Sequence, residues 1–170
     1  MLYDKAMSFK TAPARRTAGS VPKTLFHTIG YEQSAPDEFL DRLRVHQVNL
    51  IVDVREIPLS RKKGFSKHQL RTLLEGRGVD YLHIQALGAP KVIRERLRES
   101  GAWFEYVKSY EMVLSKRIED VMTLIEMAKE RRICLLCFER RPEECHRMLV
   151  ARAMESHGNS ANLKVEHIRY

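Results

Sequence analysis

Apolar and polar positions divide this chain into short apolar runs separated by helically periodic stretches. Five runs have strand length: residues 24–29, 48–54, 79–84, 133–138 and 163–168. The second and fourth are almost continuously apolar, as in strands covered on both faces. After the first run, Phe39, Leu40, Leu43 and Gln47 repeat at helical spacing. Ser34 with Asp37, and Ser66 with Gln69, have the spacing of capping boxes. Leu70, Leu73 and Leu74 continue the second helix, and Gly76 and Gly78 are suited to end it. Residues 91–131 are helical by period. Ile118, Val121, Met122, Ile125 and Met127 read as one buried stripe, and Trp103, Phe104, Tyr106 and Tyr110 as aromatic core. Pro142, followed by Glu143 and Glu144, suits the first turn of a last helix predicted over 142–156.

Strands separated by helices in the order βαβαβ, helices, βαβ predict an α/β, Rossmann-like fold. The expected sheet is mostly parallel, of about five strands, with helices on both faces and right-handed crossovers. Residues 23–170 read as a single α/β domain. Residues 1–22 show no period, contain Pro13, Gly19 and Pro22, and read as a flexible basic arm. Lys5, Lys10, Arg15, Arg16 and Lys23 against Asp4 supply half of the formal net charge of +8. The body is therefore only mildly basic, which favours an anionic partner without naming one. No run approaches the length that spans a bilayer, and the N-terminus lacks the apolar core of a secretory signal. Three cysteines do not make a disulfide framework. A cytoplasmic protein with reduced thiols and no membrane partner is expected.

In a parallel sheet every strand's C-terminal end opens on one edge, where α/β folds bind their ligands. That edge should gather Gly30 and Tyr31, Asp53 and Arg55, Gln85 and Gly88, and Cys137 and Glu139. The turn Cys145, His146, Arg147 should lie beside them. The densest stretch of reactive side chains is 132–150. Cys145, near a helix N-terminus and beside Arg147, is set up to be a thiolate. Cys145, Cys137, Glu139, Asp53 and His146 are the catalytic candidates. Arg55 and Arg147 are the anion-binding candidates, because guanidinium forks suit such groups, with Gly30, Tyr31 and Gly88 near the ligand. Arg55, Glu139 and Arg147 are expected to form one charge cluster. Cys134 and Cys137 have C-x-x-C spacing, but residues three apart on a strand face opposite ways, so Cys134 reads as core. A zinc site from Cys137, Cys145, His146 and one further ligand matches no common zinc spacing. No metal or cofactor is expected.

The segments TIGYE (28–32), IVDVREIPLSRKKGFSK (51–67), YLHIQALG (81–88) and LLCFERRPEECHRMLVA (135–151) together resemble the domain-of-unknown-function family 488. The likeness covers about residues 24–168, and its most specific part is C-x-E…C-H-R. Tyr31 stands where many members carry histidine. The resemblance implies a Rossmann-like domain with a site at Asp53, Arg55, Cys137, Glu139, Cys145, His146 and Arg147. It brings no established reaction. A weaker likeness links IVDVRE to the D-V-R-E of rhodanese-type sulfurtransferases, whose nucleophile would then be Cys137. Their anion-cradling loop needs free backbone N–H groups, and here Pro142 removes one and Glu139 opposes an anion. A cysteine phosphatase would place arginine where Glu143 stands.

The favoured reading is an enzyme, a thiol-dependent transferase or hydrolase, acting on a small anionic or phosphate-bearing, nucleotide-like ligand. The alternative is a non-catalytic nucleic-acid-associated module using the arm and Arg61, Lys62, Lys63, Lys67 and Arg71. Oligomeric state is not indicated.

Overall fold

The computed structural model describes residues 24–158 and 162–170. The predicted basic arm, 1–22, lies outside the described residues. The strands are β1 (Thr24–Gly30), β2 (Leu50–Asp53), β3 (Asp80–His83), β4 (Ile133–Cys137) and β5 (Leu163–His167). They form one all-parallel sheet in the order β3-β2-β4-β1-β5. The helices are α1 (Pro36–Val45), α2 (Lys67–Glu75), α3 (Lys91–Ser100), α4 (Trp103–Leu114), α5 (Ile118–Glu130) and α6 (His146–His157). Among the described residues, no helix is long and apolar enough to cross a membrane.

The period-two alternation of the strands sorts the core into two layers. Phe26, Leu50, Val52, Ile133 and Leu135 face a layer built with α4, α5 and α6. Ile29, Ile51, Cys134 and Leu136 face a layer built with α1 and α2. Cys134 is thus core, as its strand position predicts, and burial pushes its thiol far up. The buried stripe of α5 is Val121, Leu124, Ile125 and Ala128. Ile118 and Met122, expected in that stripe, are exposed, as is Phe104 on α4.

Neither predicted capping box forms. Ala35 is the N-cap of α1, and the Ser34 hydroxyl donates to the Tyr31 carbonyl at 2.9 Å. Ser66 precedes α2, but its hydroxyl donates to the Ser60 carbonyl at 2.9 Å, closing the basic loop on itself.

The last helix also starts later than predicted. Pro142–Glu144 is a single 3₁₀ turn, and Cys145 returns to an extended backbone (φ −135°, ψ 140°) before α6 begins at His146. Cys145 is therefore the N-cap, its sulfur accepting the Arg147 N–H at 3.5 Å. The extended residue redirects the chain, and α6 runs back over the sheet from the site's edge.

From β1 the chain crosses by α1, on one face, to β2; from β4 it crosses by α6, on the other face, to β5. The connections leave adjacent strands β4 and β1 in opposite directions. That makes the ends of β1 and β4 a topological switch point, where such sheets open a crevice.

Candidate functional site

The crevice begins where the β1–β4 ladder runs past its strand ends. Tyr31 N–H donates to the Cys137 carbonyl at 3.3 Å and Glu32 N–H to the Phe138 carbonyl at 2.9 Å. Gly30 lies where the Glu139 backbone passes, and a Cβ there would overlap the Glu139 carbonyl. Gly88 does the same for the Glu56 backbone. Both glycines admit a neighbouring loop to the edge. They were expected beside the ligand; neither lines the pocket described below.

On the α1–α2 side, Asp53 and Arg55 form a closed pair. Arg55 donates through Nε to Asp53 Oδ1 at 2.8 Å and through Nη2 to Oδ2 at 2.5 Å. Its Nη1 donates to the Tyr31 hydroxyl and the Phe65 carbonyl, each at 2.9 Å. The Tyr81 hydroxyl donates to Asp53 Oδ2 at 2.6 Å. Burial opposes the charge on Arg55, but the Asp53 carboxylate outweighs it and holds the guanidinium protonated. Tyr31 stacks on Phe65 with ring centres 4.4 Å apart.

On the α6 side lie Cys137, Glu139, Cys145 and His146. The Cys137 thiol donates to Glu139 Oε2 at 3.2 Å. His146 Nδ1 is 3.7 Å from the Cys137 sulfur and 3.9 Å from the Cys145 sulfur. Adjacent residues on a helix point about 100° apart, yet Cys145 and His146 meet because Cys145 is the extended N-cap. The other ring nitrogen, Nε2, lies 2.8 Å from the Val54 carbonyl. A carbonyl only accepts, so Nε2 carries the proton. The Tyr110 ring packs edge-on against the imidazole at 5.2 Å, its hydroxyl fixed to the Leu87 carbonyl at 2.6 Å.

These groups perturb one another. Burial, then the Cys145 sulfur, raise the Glu139 carboxyl to about 7. For Cys145 burial acts upward, but the contacts with Cys137 and His146 and the charges of His146 and Arg147 bring its thiol well below its ordinary value. The contact with Cys145, then burial, push the Cys137 thiol well up. Burial lowers the His146 imidazole's affinity for a proton, but Cys145 and Glu139 raise it further. The mutual contacts thus favour the thiolate at Cys145 and the protonated ring at His146, and disfavour the charged forms of Cys137 and Glu139.

The expected charge cluster of Arg55, Glu139 and Arg147 is not what forms. Arg55 is consumed by Asp53 on the opposite side. Arg147 is buried and gives its guanidinium to backbone: Nη1 to the Glu139 carbonyl at 2.5 Å, Nη2 to the Arg140 carbonyl at 3.0 Å. The Glu139 carboxylate turns to Cys137 instead. Strand parity explains this. Asp53 and Arg55 project to the α1–α2 layer, while Cys137 and Glu139 project to the α6 layer. Arg147 thus fixes the loop carrying Glu139 and does not reach the pocket.

The crevice is a pocket of about 770 Å³, within the range of small-ligand sites. Cys137, Glu139 and His146 line its floor, with Tyr31 and Arg55 at one side. Arg61, Lys62, Arg94 and Arg98 line its walls, and Ile57, Leu59 and Phe138 add exposed apolar surface. Lys62 Nζ is held by the Tyr31 carbonyl at 3.1 Å, and Arg94 pairs with Glu56 at 2.5 Å. Arg61 and Arg98 form no ion pair among the described residues. Of the basic residues grouped as a nucleic-acid surface, Arg61 and Lys62 face this pocket. Lys63 lies at a separate groove with His68 and Thr72, and Arg71 lies over the Tyr81 ring at 5.4 Å. Lys67 heads α2, its backbone N–H donating to the Pro58 carbonyl at 2.9 Å.

Arg94, Arg98, Glu56, Leu59 and Phe138 were missed in the sequence. Arg94 and Arg98 are four apart on the helix that follows the β3 edge loop, a spacing that puts both on one face.

No curated protein and no solved structure matches the chain. The family described as Domain of unknown function DUF488 matches residues 35–154, which include β2 through β4, the basic loop and most of α6, and the chain belongs to that family.

Proposed function

We propose that this protein is an enzyme acting on a small anionic, phosphate-bearing ligand held in the switch-point pocket. One observation carries the reading: a floor of titratable groups, buried Cys137 and His146 with half-buried Glu139, lies beneath walls bearing Arg61, Lys62, Arg94 and Arg98. Arg61 and Arg98, which form no ion pair among the described residues, take the anion. Arg55 keeps to Asp53 and holds that wall in place. The exposed faces of Leu59 and Phe138 suit the flat apolar part of a nucleotide-like molecule. Glu139, with a carboxyl poised near pH 7, is the proton donor and acceptor at the ligand, since acid–base catalysis works best with such a group. Cys137, facing the pocket, is the thiol within reach of the ligand, and Cys145 with His146 forms the charged pair behind it.

The divergence of Lys63, Lys67 and Arg71 from the pocket favours a compact ligand over a nucleic-acid strand, which would need one continuous basic track. Titration of adenosine or uridine monophosphate, followed by amide chemical shifts, tests the reading. Shifts should concentrate at residues 55–62, 94–98 and 137–146, and Arg61→Ala with Arg98→Ala should weaken binding at least tenfold. Absence of binding by either nucleotide and by inorganic phosphate, or binding unaffected by the double substitution, would overturn it.

A further inference from the structure

We infer that Cys137, Glu139, Cys145 and His146 form a binding site for one thiophilic divalent metal ion of the zinc class. The inference goes beyond the anion pocket and does not depend on it; the acid–base role of Glu139 and the free thiol of Cys137 belong to the metal-free protein, and with the ion bound both serve as its ligands. Two sulfurs, one imidazole nitrogen and one carboxylate oxygen, one from each residue, all lie within 4.8 Å of one another. A tetrahedral ion with bonds of about 2.3 Å to sulfur and about 2.0–2.2 Å to nitrogen or oxygen needs sulfur-to-nitrogen and sulfur-to-oxygen separations of roughly 3.5–3.7 Å. The observed separations are 3.7 and 3.9 Å from His146 Nδ1 to the two sulfurs and 3.2 Å from the Cys137 sulfur to Glu139 Oε2. These three separations lie within a few tenths of an ångström of that geometry, and every other pair lies within 4.8 Å. The donor set is one that zinc favours, thiolates with imidazole and carboxylate.

The surroundings have the character of a ligating shell. His146 gives its Nε2 proton to the Val54 carbonyl, which leaves Nδ1 directed at the two sulfurs, and a backbone carbonyl in this role is usual for metal-bound histidine. Arg147 clamps the carbonyls of Glu139 and Arg140 and so fixes the loop that presents the carboxylate. The extended N-cap lets the adjacent residues Cys145 and His146 both reach one centre. Cys137, Cys145 and His146 are each no more than 4% exposed, with Glu139 on the pocket side. Charge points the same way. Two thiols and a carboxyl surround one imidazole, while Arg147 spends its guanidinium on Thr28 and on carbonyls. A divalent ion balances two thiolates, and its binding releases their protons.

Sequence spacing hides the site, because Cys137-x-Glu139 and Cys145-His146 belong to two elements that meet only through the fold. Glu139, the most exposed of the four, is the ligand that an incoming anion can displace, which would put the ion at the pocket floor.

The full chain, reduced, stripped with a chelator and titrated with Co²⁺ alone, tests the site. One equivalent should produce thiolate-to-cobalt charge transfer together with the intense visible bands of tetrahedral cobalt, and one equivalent of Zn²⁺ should abolish both. Cys137→Ser and Cys145→Ser should each lose most of the charge transfer. Glu139→Gln should keep it with affinity lowered about tenfold, and Cys134→Ser should change nothing. Zn²⁺ should also slow alkylation of Cys137 and Cys145 in the unaltered protein, a readout that needs no variant to fold. Cobalt bound without charge transfer, as at the separate His27, His46 and Glu166 cluster, would overturn the inference. So would charge transfer that survives both cysteine substitutions, or alkylation indifferent to Zn²⁺. No phosphate enters the titration, so its failure leaves the anion pocket standing, and the reverse holds.

Discussion

The Asp53 carboxylate and the Arg55 guanidinium meet through two parallel hydrogen bonds, 2.8 and 2.5 Å long, at the buried end of β2. The Tyr81 hydroxyl and the Arg55 N–H supply further donors to the same carboxylate. Asp53→Asn leaves that guanidinium buried without its counter-charge and should cost about 3–5 kcal/mol. Tyr81→Phe removes one bond to a charged group and should cost about 1.5–3 kcal/mol. Urea unfolding measures both; an Asp53→Asn loss under about 1 kcal/mol would mean the pair is not holding the strand end.

The Glu139 carboxyl has a folded value of about 7, above its ordinary 4.5. An acid raised on folding contributes stability in full below its unfolded value and loses it as pH rises through its folded value. The wild type should therefore lose stability between about pH 4.5 and pH 7 through this group. Glu139→Gln stays neutral throughout. It should match the wild type below about pH 4 and exceed it at pH 8, by up to about 3 kcal/mol. Urea midpoints at the two pH values decide it, and a variant less stable than wild type at pH 8 would contradict the raised value.

Gly30 and Gly76 should answer oppositely to alanine. At Gly30 the added methyl would collide with the Glu139 backbone. Overpacking there should cost about 1–3 kcal/mol and displace the loop that carries Glu139. Gly76 has helical φ and ψ, and its nearest contact for a Cβ is 3.6 Å. Gly76→Ala should stabilise by about 0.4–1 kcal/mol. Thermal melts of the two variants provide the comparison.

The three thiols should differ in reactivity although all are buried. Cys137 lines the pocket and Cys145 favours the thiolate, whereas Cys134 is sealed in the opposite layer. Iodoacetamide near neutral pH should label Cys137 or Cys145 first and Cys134 only on unfolding. Peptide mapping over time would show it. Labelling of Cys134 at a rate equal to the other two would remove the distinction.

Much of this fold can be read from residue pattern alone, because apolar runs such as 48–54 and 133–138 are too short for helices and too continuous for half-exposed strands. Parity also separates Cys134 from Cys137 without coordinates. Partner choice was harder to read. Glu139 looked destined for an arginine, yet parity, followed past the strand end, places it across the sheet from Arg55. The capping boxes at Ser34 and Ser66 failed for a local reason: each hydroxyl has a loop carbonyl within reach. Cys145 was read inside a helix because nothing in Pro142-Glu143-Glu144 marks the single 3₁₀ turn, or the extended residue after it. That one extended residue brings Cys145 and His146 together, so the contact between two adjacent residues was also the least legible.

The strand order carries a consequence for synthesis on the ribosome. β1 and β2 are neighbours in sequence but not in the sheet, and the place between them is filled by β4, whose Cys134 pairs with His27 and Ile51. Until that late strand emerges, β1 and β2 have no strand to join them, and neither Cys137 nor His146 is present to face Asp53 and Arg55. Loop closure over so many residues is slow, and the crevice has no precursor in the shorter chain. A nascent or truncated product ending before β4 is therefore chemically silent, and the cluster's reactive thiols come into existence only with the completed sheet that buries them.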